Sequence, residues 1–159
     1  MPFAADSPLL TDDRPTVIYI TGSGRSGSTL LERILGAIPG FVNVGELIDL
    51  FRRVAPHDEH CGCGELFSAC PFWSEVGIKA FGGWPTSLLE ETQRLQRTVA
   101  RQRHLLGHFR ASSANPGNLS DELRRYQEIY HHTYRAILEV SQADVIVDAS
   151  KGPAQGLAL

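Results

Sequence analysis

Apolar and polar positions follow two different periods along this chain, and the switches between them mark its elements. Thr16-Val17-Ile18-Tyr19-Ile20-Thr21, a β-branched and aromatic run between Pro15 and Gly22, predicts a buried strand. Leu30, Leu31, Ile34 and Leu35 then recur at helical spacing and predict a helix over 28–35, closed by Gly36 and Pro39-Gly40. Between them, 22–27 is too rich in glycine and serine for an element interior and predicts a loop. Phe41 to Val44 predicts a second short strand, and 46–53 a short helix. The stretch 54–83, with Pro56, Pro71 and several glycines, predicts an irregular insertion.

Past Pro85, Ser87 and Glu90 stand three apart in a capping-box arrangement. Leu88, Leu95, Val99, Leu106 and Phe109 predict a helix through to about His108, and 111–119 a polar loop. Ser120 is placed to cap the next helix, with Asp121 and Glu122 in its first turn and Leu123, Tyr126, Tyr130, Ile137 and Leu138 along it. That helix is expected to end near Val140. Residues 144–148 predict a second core strand and 153–159 the start of a helix.

Composition narrows the class. With 159 residues, 42% hydrophobic and 21% charged, the chain suits one soluble globular domain and is short for two. Fifteen basic against eighteen acidic side chains give a net charge of −3, so no global basic field points to nucleic acid and any anion site is local. No apolar run approaches the ~20 residues that cross a bilayer. Residues 1–14, with Asp6, Asp12 and Asp13, lack the basic-then-apolar order of a secretory signal and are expected to form a flexible tail. All three cysteines, Cys61, Cys63 and Cys70, fall within ten residues. An odd, clustered set argues against a disulfide framework and for a reducing compartment, the cytoplasm by expectation.

The chemistry concentrates in the first loop. A helix N-terminus exposes unpaired amides and a partial positive charge, and glycines let backbone close around an anion. Gly22, Gly24 and Gly27 supply that freedom; Ser28 and Thr29 bring hydroxyls to the first helical turn, and Arg25 brings a fixed charge with forked donors. The frame Gly22-x-x-x-x-Gly27-x-Thr29 has Walker A spacing, but Ser28 stands where the lysine belongs. Without that lysine, ordinary ATP or GTP chemistry is disfavoured. The bland alternative is a glycine turn that only joins strand to helix.

Ile18-Tyr19-Ile20-Thr21-Gly22-Ser23-Gly24-Arg25-Ser26-Gly27-Ser28-Thr29-Leu30-Leu31 closely resembles the sulfotransferase loop that binds the 5′-phosphosulfate end of 3′-phosphoadenosine 5′-phosphosulfate. The resemblance is to the branch with arginine in place of lysine, which includes tyrosylprotein sulfotransferases and many bacterial members. Val44-Gly45-Glu46-Leu47, Cys61-Gly62-Cys63-Gly64-Glu65 with Cys70-Pro71-Phe72-Trp73, and Val145-Ile146-Val147-Asp148-Ala149-Ser150-Lys151 resemble the same bacterial branch, in the family's order.

The resemblance implies an α/β fold with a P-loop-NTPase-like parallel sheet, flanking helices and a mainly helical insertion over 54–140, within a domain spanning 15–159. It implies that Gly22, Ser23, Gly24, Arg25, Ser26, Gly27, Ser28 and Thr29 bind the nucleotide, with Arg25 acting electrostatically on the leaving phosphate. Glu46 matches a glutamate that activates the acceptor hydroxyl or amine; its plainer role is to cap the helix after it. Ser150 and Lys151, at a strand end, are candidate contacts to cofactor or acceptor, or a polar turn. The mechanism requires no metal. His60, Cys61, Cys63 and Cys70 form a weaker zinc alternative, beside reduced structural cysteines or a local disulfide.

No stretch matches the family's Arg-Asp-Pro-Arg-like 3′-phosphate site, so the expectation is an N-terminal fragment, incomplete at its C-terminus, whose own activity is in question. Two rivals stand beside the sulfotransferase reading: a deviant P-loop kinase or nucleotide hydrolase using Asp148 with Mg²⁺, and a non-catalytic module.

Overall fold

A parallel sheet of three strands organises the computed structural model, which describes residues 14–100 and 120–159. Strand β1 is Thr16–Thr21, β2 Phe41–Asn43 and β3 Val145–Lys151, in the order β1-β3-β2. β3 lies between two partners, pairing Thr16 with Val145 on one side and Phe41 with Val145 on the other. A strand covered in this way can be apolar on both faces, and Ile146, Val147 and Ala149 are all buried. The α/β class and the parallel sheet match the sequence expectation.

Helix α1, Ser28–Leu35, follows β1 through the glycine loop and matches its predicted bounds. Its orientation was not foreseen. Ser28 and Glu32 face inward, while Leu30, Leu31 and Ile34 are exposed. After β2 comes a short helix α2, Leu47–Asp49, continued by a π-helical turn, Leu50–Val54.

The predicted irregular insertion holds a regular element. Helix α3 is Pro71–Phe81, with Pro71 in its first turn and Gly82 closing it in the left-handed region at φ 75°. Gly77 sits under the Trp84 ring: a Cβ there would lie 2.2 Å from Trp84 Nε1. That indole N–H donates to the Trp73 carbonyl at 2.7 Å, fixing the ring against the helix.

Helix α4 is Thr86–Val99. Its N-cap is Pro85 with no side-chain cap bond, so Ser87 lies within the helix and the expected capping box is not formed. The C-cap is Ala100; Leu106, Phe109 and the polar loop 111–119 lie outside the described residues. Helix α5, Asp121–Ser141, begins as predicted, with the Leu123 amide donating to Ser120 Oγ at 3.2 Å. It ends at Gln142, φ 57°. Helix α6 is Pro153–Ala158.

Helices α3 and α4 pack on α5, and the main core fills the space between them and β3. Phe51, Phe67, Trp73, Trp84 and Tyr130 form its aromatic centre, with Phe51–Trp84 and Phe67–Trp84 ring centroids 5.9 and 5.6 Å apart. Burying each such ring or a Leu contributes about 1.5–3 kcal/mol, so this cluster holds α2 and the loop before α3 against the sheet.

Candidate functional site

Parallel pairing brings the C-terminal ends of all three strands to one edge of the sheet, where open α/β sheets collect ligands. From β1 the chain enters the glycine loop, whose first amide, Gly22, donates to the Lys151 carbonyl at 3.2 Å. From β2 it passes through Val44, whose amide donates to the Val147 carbonyl at 3.1 Å, to Gly45, whose carbonyl accepts from Ala149 at 2.8 Å. Gly45 has φ 70°, and the turn it permits delivers Glu46 beside the end of β3. There the Lys151 ammonium pairs with Glu46 Oε1. Two candidates 105 residues apart are thereby brought together. Glu46 Oε2 has no hydrogen bond among the described residues.

Lys151 owes its direction to a bulge. Tyr19 pairs with Asp148 and Thr21 with Lys151, so β3 has one residue more than β1 over this span. Lys151 takes φ 63°, an uncommon conformation for a residue with a Cβ, and strain of this kind concentrates at functional sites.

The glycine loop is exposed from Gly22 to Gly27. Arg25 at φ 64° and Gly27 at φ 81° are both left-handed, and together they turn the chain onto the head of α1. Among the described residues, the amides of Ser23, Gly24, Arg25, Gly27, Ser28 and Thr29 donate to no protein acceptor. Beyond them, the Leu30 and Leu31 amides both donate to the Gly27 carbonyl at 3.0 Å. Arg25 is likewise without a hydrogen bond or ion pair among the described residues. The Ser28 side chain is buried, so of the two hydroxyls at the helix head only that of Thr29 is exposed.

A cleft of about 290 Å³ opens beside the helix head, lined by Thr29, Glu32, Glu46, Asp49, Arg53 and Cys61 among others. Thr29 and Glu46 share it; Arg25 and the rest of the loop stand outside its lining. Glu32 is a cleft residue that sequence reading missed. Burial raises its pKa above the ordinary carboxylate value, partly offset by the Asn43 amide donating to Oε1 at 3.3 Å. Its signal was the inward pair Ser28 and Glu32, one helical turn apart, on the face opposite Leu30 and Ile34.

Ser150 does not face the cleft. It is buried, its hydroxyl donating to Asp148 Oδ1 and accepting from the Ile48 amide at 3.0 Å. Asp148 is fully buried, and both its oxygens are engaged. Oδ2 accepts from the Tyr134 hydroxyl at 2.7 Å; Oδ1 accepts from the amides of Ser150 at 2.9 Å and Leu47 at 3.4 Å. Burial raises the Asp148 pKa, and the bonds from Ser150 and Tyr134 pull it back. Together Asp148 and Ser150 tether the first turn of α2, and so fix the backbone that carries Glu46.

The three cysteine sulfurs converge, with Cys63–Cys70 and Cys61–Cys70 separations of 3.6 and 3.5 Å. His60 stands apart from them, its Nδ1 lying 2.9 Å from the Gly64 carbonyl oxygen. Arg94 pairs with Glu122 on the surface. No described helix is long and apolar enough to cross a membrane. No family model matches the chain, and neither a curated protein nor a solved structure matches it.

Proposed function

We propose that this chain is a sulfotransferase-family protein with a P-loop-like core, moving a sulfuryl group from 3′-phosphoadenosine 5′-phosphosulfate to a hydroxyl or amine acceptor. One observation carries the reading: a row of unspent amides at the head of α1 lies at the same sheet edge as Glu46 and Lys151. Such amides are a ready anion receptor. Arg25, exposed and unpaired among the described residues, is the cation free to swing onto a bound phosphate.

In this reading the acceptor oxygen or nitrogen attacks sulfur in line, and the bond from sulfur to the 5′-phosphate oxygen breaks. The acceptor proton passes to Glu46, whose Oε2 is open while Oε1 is held by Lys151. The charge that builds on the leaving phosphate is stabilised by Arg25 and the loop amides. Lys151 positions the base and adds positive charge at the strand end.

The kinase or hydrolase alternative asks Asp148 to hold a magnesium-bound water. Both oxygens of that fully buried carboxylate are engaged by donors inside the core, which weighs against it.

A calorimetric nucleotide panel tests the proposal. We expect 3′,5′-adenosine bisphosphate to bind more tightly than Mg²⁺-ATP. Arg25→Ala should weaken it by about 10–100-fold, the worth of one hydrogen bond to a charged group. Preference for Mg²⁺-ATP, or bisphosphate binding indifferent to Arg25→Ala, would overturn it.

A further inference from the structure

The segment from Asp58 to Cys70 is tied internally as if to hold its sulfurs in place. The Asp58 carboxylate accepts from the Ser68 amide at 2.7 Å and from its hydroxyl at 2.9 Å. His60 pairs antiparallel with Leu66, and the Cys61 amide donates to the Glu65 carbonyl at 2.7 Å. Gly64, at φ 95°, closes this tight turn, its amide donating to the Cys61 carbonyl at 2.9 Å. The turn presents Cys61 and Cys63. Cys70 comes from elsewhere, as the N-cap of α3. The three sulfurs lie within 4.8 Å of one another.

Their spacing is informative. Zinc–thiolate bonds of ~2.3 Å in a tetrahedron put neighbouring sulfurs about 3.8 Å apart. The observed 3.5 and 3.6 Å fall close to that edge length. A disulfide would draw two sulfurs to about 2.0 Å and leave the third without a partner. Backbone donors surround the cluster. The Glu65 amide faces the Cys63 sulfur, and the Cys63 amide faces the Cys61 sulfur. Cys70 adjoins the positive end of α3. Three soft ligands preset by backbone donors fit zinc better than the oxygen-seeking cations.

We propose that Cys61, Cys63 and Cys70 form a zinc site of three thiolates, the ion displacing their thiol protons. The fourth position falls to water or a small solute, since no fourth metal-ligating side chain joins the cluster among the described residues. Because Cys61 and Gly62 also line the cleft beside Glu46, the ion pins one wall of that cleft to α3. The proposal stands independently of the sulfuryl-transfer reading.

The test is elemental analysis of the whole chain, purified with reductant and without chelator, beside Cys63→Ser. Cys63 is exposed, so this change removes a ligand without opening the core. We expect about one zinc per parent chain and under about a tenth in the variant, with matching circular dichroism for both. Chelator should lower the parent's unfolding midpoint and leave the variant's unchanged. Cobalt added to the reduced metal-free parent should produce thiolate-to-cobalt charge-transfer bands. A reduced parent that holds no zinc and takes up neither metal would overturn the site, as would a Cys63→Ser chain that keeps its full zinc. Thiol titration finding a disulfide in the freshly isolated native chain would do the same.

Discussion

Replacing Asp148 with alanine should cost much of the fold's stability, because this carboxylate joins β3 to α5 and α2. Its removal strands the Tyr134 hydroxyl and the amides of Leu47 and Ser150, groups buried around it. A buried donor left without an acceptor costs about 1–3 kcal/mol. The Leu47 contact, at 3.4 Å, belongs at the low end of that range. Against the sum stands relief from holding a carboxylate whose pKa burial has raised. The net expectation is a loss of about 3–5 kcal/mol, as found when one member of a buried charged network is deleted. For a domain with ~5–15 kcal/mol in total this is severe. At about 2–4 °C per kcal/mol, the unfolding midpoint should fall by roughly 6–20 °C. Urea unfolding followed by circular dichroism measures it, with Tyr134→Phe completing a double-mutant cycle. Tyr134→Phe should matter in the parent and hardly at all once Asp148 is gone. A loss below about 1 kcal/mol for Asp148→Ala, or additive effects in the cycle, would refute the idea that this network braces the site.

Gly77→Ala should destabilise by about 1–3 kcal/mol, the usual cost of overpacking, since the new methyl meets the Trp84 indole at 2.2 Å. Its fluorescence should shift as Trp84 moves, and an unchanged midpoint would show that the ring is not held there. Glu32 gives a pH signature. Its folded pKa lies above its ordinary 4.5, so the native state binds the extra proton and stability falls as pH rises from 4.5 through the folded value. Glu32→Gln should remove that decline, gaining on the parent as pH rises; parallel stability–pH curves would contradict it.

The strand, loop and helix around 16–35 were legible because each changes the sequence period or its glycine content abruptly. Ser120 was legible for a similar reason: a capping residue followed by acidic residues carries its signal locally. Helix α3 was hidden because it interrupts its own apolar stripe. Gly77 faces inward while Ile78 is 61% exposed, so no clean face appears in the sequence. The capping box at Ser87 failed because Pro85 already sets the extended entry into α4. Tertiary pairing was beyond sequence periodicity altogether. That Lys151 meets Glu46 follows from β2 lying parallel beside β3, together with a bulge that turns Lys151 aside. The inward polar pair Ser28 and Glu32 was masked by the stronger apolar signal of Leu30, Leu31 and Ile34, which the structure leaves exposed.

Residue-resolved NMR of the backbone amides during titration with 3′,5′-adenosine bisphosphate puts the anion receptor to its most direct trial. The account predicts saturable shifts concentrated at Ser23, Gly24, Arg25, Gly27, Ser28 and Thr29, the amides without protein acceptors among the described residues. Shifts spread over the surface, or confined to another face while these amides stay still, would contradict it.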